Sequence, residues 1–285
     1  MIRDWWSLIR GFNALLAGAA AWVGMVLATG TWFSSQMILA ILPPMLITGA
    51  GNIDNDLCDL EIDRRIKPWR PLASLRVSGR AARVAAVLLM LSGLMVALLG
   101  GLWPLLIATT VVAFLGLYNH RFSSWPIVGN IVVAGLGALP IMFGATVTLR
   151  MGREINLDPP MIAAVIAFWL HLPRELLKDT LDSAGDREAG RETLATIYGE
   201  GKPVRLAGAL MLLALAYVAW SAFCGCFGTL YSIGVMLTIV PALLLGSAQC
   251  LFSPSLATAS RWSFGLKLAM VGGLAWMFLG RVPVP

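Results

Sequence analysis

Six aspartates repeat one spacing twice. Asp56, Asp59 and Asp63 stand at i, i+3 and i+7, and so do Asp179, Asp182 and Asp186. On a helix of 3.6 residues per turn, such positions fall within roughly 60° of one another. Each segment can therefore present three carboxylates on one face. Like charges so close destabilise a helix, so a positive partner is required. Magnesium meets the requirement, because it takes oxygen ligands in octahedral geometry and commonly binds one or two carboxylates together with substrate phosphates. Calcium would call for a twelve-residue loop closed by a bidentate glutamate, which the sequence lacks. Zinc or iron would call for histidine or cysteine, and His120 and His171 stand far from any matching triad.

Cations flank the carboxylates. Lys67 and Arg70 follow the first triplet, and Arg174 and Lys178 precede the second. Such side chains suit the oxygens of a diphosphate. One triplet alone would read as a solvated helix end, but two of identical spacing beside basic residues read as a diphosphate clamp. Arg64, Arg65, Arg76 and Arg80 are assigned instead to lipid headgroups. The sequence contains no P-loop, no dinucleotide fingerprint after a strand, no HExxH and no GxSxG in a useful context.

The elements that must carry these residues are membrane spans. Hydrophobic residues make up 58% of the chain and charged residues 13%, with a mean hydropathy of +0.80. A soluble domain carries about 25% charged residues to cover its surface. Nine apolar stretches approach the ~20 residues that a span needs: roughly 11–29, 34–50, 82–101, 103–119, 126–149, 160–177, 204–224, 229–250 and 264–280. Gly100, Gly101 and Pro104 leave the third join open to being a kink. Residues 11–29 are long for a signal-peptide core and Asn13 interrupts them, so an uncleaved span is expected. Two long polar interruptions remain, at about 51–81 and 174–203, and they hold the two triplets. With the N-terminus inside, inner segments hold 18 of the 21 Lys and Arg, leaving Arg150, Arg153 and Arg281 outside. The expected location is thus the cell membrane, multi-pass, with the N-terminus and both aspartate-rich segments cytoplasmic. Cys58, Cys224, Cys226 and Cys250 show no zinc-type spacing and are expected in the core. Trp5, Trp6, Trp125 and Trp262 are expected as interfacial anchors.

The motifs also resemble a known family. Asn55-Asp56-x-x-Asp59-x-x-x-Asp63 resembles the NDxxDxxxD signature of the UbiA superfamily of intramembrane prenyltransferases, and Lys178-Asp179-x-x-Asp182-x-x-Gly185-Asp186 resembles its second aspartate-rich motif. Arg10-Gly-Phe-Asn13 is similar to the family's RPxN element. Tyr118, Pro126 and Asn130 resemble the segment joining helices four and five, and Lys67-Pro-x-Arg70-Pro71 resembles KPxRP. Three departures are visible. Ser74 is followed by Leu75 where the family usually has a Ser-Gly pair, Ile66 replaces an Asn, and Ser123 replaces a lysine, leaving Arg121 nearby.

The resemblance implies an all-α polytopic protein of about nine helices around a central cavity, with residues 1–285 forming a single prenyltransferase domain. It implies Mg2+ as cofactor, a polyprenyl diphosphate donor and a lipophilic acceptor, in contact with membrane lipids and with no protein partner. Asp56, Asp59, Asp179 and Asp182 would hold metal, with Asn55, Asp63 and Asp186 as weaker members. Lys67, Arg70, Arg174 and Lys178 would hold phosphate oxygens, and Asn13, Tyr118 and Asn130 would belong to the substrate path. Asp-x-Glu-x-Asp-Arg at 59–64 and the run at 174–186 look most like the branch that prenylates geranylgeranylglyceryl phosphate. The Asp-Arg-Glu-Asp-Asp of the aromatic-acid branch is absent, while quinone, chlorophyll and haem branches stay open. A transporter is the other class to carry, but the carboxylates stand at the ends of spans and not near the midplane. Nucleic acid is not expected, because the basic residues lie at membrane edges.

Overall fold

The computed structural model describes residues 1–121, 125–151, 155–188 and 190–281. Ser123 and Arg153 lie outside the described residues. In chain order the α-helices are α1 Ile2–Leu8, α2 Gly11–Thr29, α3 Met37–Cys58, α4 Leu60–Ile66, α5 Gly79–Gly100, α6 Leu102–His120 and α7 Val128–Val147. They continue with α8 Asp158–Glu188, α9 Leu194–Tyr198, α10 Gly201–Phe223, α11 Thr229–Leu237, α12 Ile239–Phe252 and α13 Leu256–Leu279. Among the described residues there is no strand, and nine segments are long and apolar enough to cross a membrane. The expected count of spans holds. Three ends do not: α3 and α8 run on past their apolar stretches, carrying the helix into both polar segments, and α13 starts at Leu256, well before 264.

The chain divides into two compact units. The first comprises residues 1–25, 31–123 and 139–155. Its helices approach closely through small residues, as helices in lipid do. Gly93 of α5 meets Ile47 of α3, and Gly51 of α3 meets Leu115 of α6. A methyl group on Gly24 of α2 would collide with the Ile141 carbonyl of α7, and one on Gly144 with the Ala21 carbonyl. The join after α5 is a true break and not a kink: Gly101 takes φ +120°, which only glycine adopts readily. Leu8, Ile53, Leu72, Val77, Ala82 and Ala86 form a buried cluster that ties α1, α3 and α5 to the loop of residues 67–78.

That loop contains the Leu75 departure. Leu75 sits at φ +60°, and its N–H donates to the Leu72 carbonyl at 3.1 Å. The backbone therefore keeps a conformation suited to glycine, and an exposed leucine bears the strain. Leu75→Gly is expected to raise stability by about 1 kcal/mol, read as a higher unfolding midpoint in detergent. Arg76, expected at headgroups, pairs instead with Asp4 at 3.4 Å and donates to the Trp69 carbonyl at 2.5 Å, so it serves this loop.

The second unit comprises residues 26–30, 124–138 and 156–285. Its longest element, α8, has 31 residues, about 46 Å at 1.5 Å per residue. The hydrocarbon layer is about 30 Å thick, so the last turns of α8 reach beyond it. Thr193 and Thr196 form a capping box that starts α9 close behind. The stretch 229–250, read as one span, is interrupted at Thr238 because Pro241 three residues on cannot donate to Leu237. The Trp276 indole donates to the Thr238 hydroxyl at this break, at 3.1 Å. Trp262 is no interfacial anchor: it is buried against Gly246 and donates to Gln249 at 2.9 Å. Of the four cysteines only Cys250 is buried, while Cys58 and Cys224 are exposed and Cys226 is half-buried.

Candidate active site

The first aspartate group does not lie on one continuous helix. α3 ends at Cys58, Asp59 sits at the junction with φ −87° and ψ 3°, and α4 begins at Leu60. Electrostatics accounts for the break. A helix C-terminus carries partial negative charge and repels carboxylates, whereas an N-terminus attracts them. Ending α3 makes Asp59 the N-cap of α4 and puts Glu61 and Asp63 in its first turn. α4 ends at Ile66 with Lys67 as its C-cap, because Pro68 disfavours helical backbone in the residue before it.

The chain then folds back so that Arg70 returns to the carboxylates. One guanidinium nitrogen of Arg70 donates to Asp56 Oδ1 at 3.2 Å and to Asp63 Oδ2 at 2.5 Å. Arg10 approaches the same group, donating from Nη2 to Asn55 Oδ1 and to Asp56 Oδ1, both at 3.0 Å. Asp56 is 5% and Asp63 6% exposed. Burial pushes the Asp63 carboxyl above the usual carboxylate range; Arg70 opposes that shift without cancelling it, and Asp56 and Asp59 add to it. Asn119, next to Tyr118 on α6, receives Asn55 at 3.5 Å and donates to Asp54 Oδ2 at 2.7 Å. Asn13 lies one turn after Arg10 on α2, its N–H on the Arg10 carbonyl at 2.8 Å.

Arg10 is the residue that the sequence reading left without a role. Its place in Arg10-Gly-Phe-Asn13 is the signal that the sequence offers. Its backbone stands at φ +48°. Strain of this kind persists where the surrounding contacts over-determine a residue, and it clusters at functional positions.

The second aspartate group does lie on one helix, the last turns of α8. Asp179 is about 31 Å from the start of α8, about the thickness of the hydrocarbon layer. Asn130 of α7 donates to Asp179 Oδ2 at 2.6 Å. Arg191 pairs with Asp186 at 4.0 Å, and its backbone N–H donates to the Asp186 carbonyl at 2.8 Å. Glu175 belongs to the run at 174–186 but carries no role of its own in the sequence. It is 4% exposed, accepting from Arg174 Nη1 at 2.6 Å and from Lys178 Nζ at 3.1 Å. Both cations assigned to phosphate are thus held by one buried carboxylate, which fixes their direction.

The donor chemistry of both groups suits a hard divalent cation. Asp56, Asp59 and Asp63, like Asp179, Asp182 and Asp186, offer oxygen alone. The two buried carboxylates of the first group already attract positive charge, which the two arginines supply.

Comparison with known proteins places the chain as a whole. The model of the UbiA prenyltransferase family matches residues 17–278. A digeranylgeranylglyceryl phosphate synthase from Natronomonas pharaonis is 30% identical over 288 residues, covering 99% of this chain and 98% of that one. A solved structure from work on digeranylgeranylglyceryl phosphate synthase in membranes superposes with a TM-score of 0.80 at 26% identity, covering 99% of each chain. A UbiA homolog from Archaeoglobus fulgidus, bound to GPP and Mg2+, shares the fold at a TM-score of 0.66 and 16% identity, covering 96% of this chain and 99% of that one.

Proposed function

The chain belongs to the UbiA prenyltransferase family, and from that premise we propose that it transfers a geranylgeranyl group from its diphosphate to geranylgeranylglyceryl phosphate. The observation that carries the choice of acceptor is likeness along the whole chain, not in motifs alone, to a protein named for that product. The protein is a multi-pass membrane enzyme, and residues 1–285 act as one prenyltransferase domain. The single family match running through most of the chain supports that reading.

The metal is Mg2+, in keeping with the all-oxygen donors and with the ion bound in the Archaeoglobus homolog. When bound, it draws charge onto the departing diphosphate. Asp56 and Asp59 supply ligands in the first aspartate group, and Asp179 and Asp182 in the second. Asn55, Asp63 and Asp186 support them, and Asn130 orients Asp179. Lys67, Arg70, Arg174 and Lys178 bind phosphate oxygens, while Asn13 and Tyr118 flank the substrate path. Arg10 keeps Asn55 and Asp56 aligned. In the reaction the allylic C–O bond to diphosphate breaks and the acceptor hydroxyl oxygen bonds to the freed carbon. The hydroxyl proton leaves to solvent or to a phosphate oxygen. The N-terminus and both aspartate groups face the cytoplasm, supported by the 18 of 21 cationic side chains assigned to that side.

The test is an acceptor panel offered to purified protein with labelled geranylgeranyl diphosphate and Mg2+. The panel holds geranylgeranylglyceryl phosphate, 4-hydroxybenzoate, a dihydroxynaphthoate and homogentisate. Product from the glycerol phosphate alone, identified by mass, is expected. Transfer to an aromatic acceptor instead would overturn the acceptor while leaving the family standing.

A further inference from the structure

The end of α3 carries a second constellation that the prenyl-transfer reading does not use. Asp54, Cys58 and His120 each offer one donor atom, and the three atoms lie within 4.8 Å of one another. We propose that these residues form a binding site for a borderline-soft divalent ion of the zinc class, tying α3 to α6 beside the aspartate group.

The geometry suits such an ion. Cys58 Sγ and His120 Nδ1 are 3.8 Å apart. Zinc bonds of about 2.3 Å to sulfur and 2.0–2.1 Å to nitrogen at a tetrahedral angle would place those atoms about 3.6 Å apart. Asp54 and Cys58 are i, i+4 neighbours at the end of α3, so both project from one face. His120 is the last residue of α6 and enters from the other helix. The Asn119 amide holds Asp54 Oδ2 at 2.7 Å, the kind of outer partner that orients a ligating carboxylate. Cys58 and His120 are exposed, so a hydrated ion can reach them and retain water as its fourth ligand.

Ligand chemistry keeps the two kinds of ion apart. Thiolate and imidazole favour zinc over magnesium, while the all-oxygen aspartate groups favour magnesium. Binding requires the Cys58 thiolate, so the thiol proton leaves to solvent as the ion enters. Spacing could not reveal this site, because 62 residues separate Cys58 from His120 and only the packing of α3 on α6 joins them. The inference does not depend on the acceptor or on the transfer reaction.

The experiment titrates the full chain, purified in detergent with Mg2+ in excess, first with Co2+ and then with Zn2+ as competitor. Near-ultraviolet charge transfer from thiolate to cobalt is expected, saturating at one ion per chain and abolished by Zn2+. Cys58→Ala should remove the band. His120→Ala removes a ligand itself and should weaken Zn2+ binding by more than the roughly 10–100-fold that loss of an outer partner costs. Both variants should keep wild-type prenyl transfer in Mg2+, which also reports their folding. Should either alanine variant fail to fold, Cys58→Ser and His120→Gln take its place. No charge-transfer band in the wild type would overturn the proposal. So would a band unchanged by His120→Ala, or Zn2+ binding that survives Cys58→Ala and is lost in Asp59→Ala.

Discussion

Asp56→Ala and Asp179→Ala are each expected to lower prenyl transfer about 10²–10³-fold, the loss typical when one group that stabilises developing charge is removed. That is about 3–4 kcal/mol of transition-state stabilisation. Asp56 is buried with two guanidinium groups on one oxygen, and Asp179 is held by Asn130. Each carboxylate is thus held in a fixed direction by its partners. Comparing kcat/KM at saturating Mg2+ with wild type makes the measurement. Asp63→Ala should cost less, about tenfold, because Asp63 supports the ligand set. Equal losses at Asp56 and Asp63 would erase the distinction between ligand and support. Wild-type activity in Asp179→Ala would remove the second motif from the mechanism.

Arg70→Ala should produce the largest loss of stability. Its guanidinium bridges Asp56 and Asp63, whose side chains are 7% and 8% exposed against 26% for Arg70. Removing one partner of a buried pair costs about 3–5 kcal/mol, and the part-exposed guanidinium lowers this to about 2–4 kcal/mol. The unfolding midpoint in detergent should fall by roughly 5–10 °C. Arg70→Lys keeps the charge without the planar fork and should lie midway. Two controls identify the cause. Added Mg2+ should restore part of the stability of Arg70→Ala, because a cation replaces the missing charge. The loss should also shrink as pH falls. The folded-state pKa of Asp63 is already raised by burial, and a proton on Asp63 removes the unpaired charge. A loss indifferent to both Mg2+ and pH would assign Arg70 to packing.

The spans were legible because lipid demands long apolar runs, and those runs stand out in any window of sequence. Helix ends were less legible. α3 and α8 continue into polar sequence because their backbone groups still find partners there, so hydropathy understates their length. The first aspartate group showed the limit of spacing arguments. The i, i+3, i+7 pattern placed three carboxylates together, but it could not show that α3 stops at Cys58. Asp56 and Asp63 are joined through Arg70 across that break. Arg10, Glu175 and His120 were invisible as partners for one reason. Arg10 meets Asp56 from 46 residues away, and His120 meets Cys58 only once α6 lies on α3. Glu175 was adjacent to its cations in sequence, yet its burial, which makes it decisive for Arg174 and Lys178, comes from packing.

Equilibrium binding of a non-hydrolysable geranylgeranyl diphosphate analogue to the purified chain, with Mg2+ and then with EDTA, tests the diphosphate clamp most directly. The result predicted is saturable binding that requires Mg2+ and is weakened in both Asp56→Ala and Asp179→Ala. Binding that is indifferent to Mg2+ and to both substitutions, or no binding at all, would contradict the reading of the aspartate groups as a diphosphate clamp.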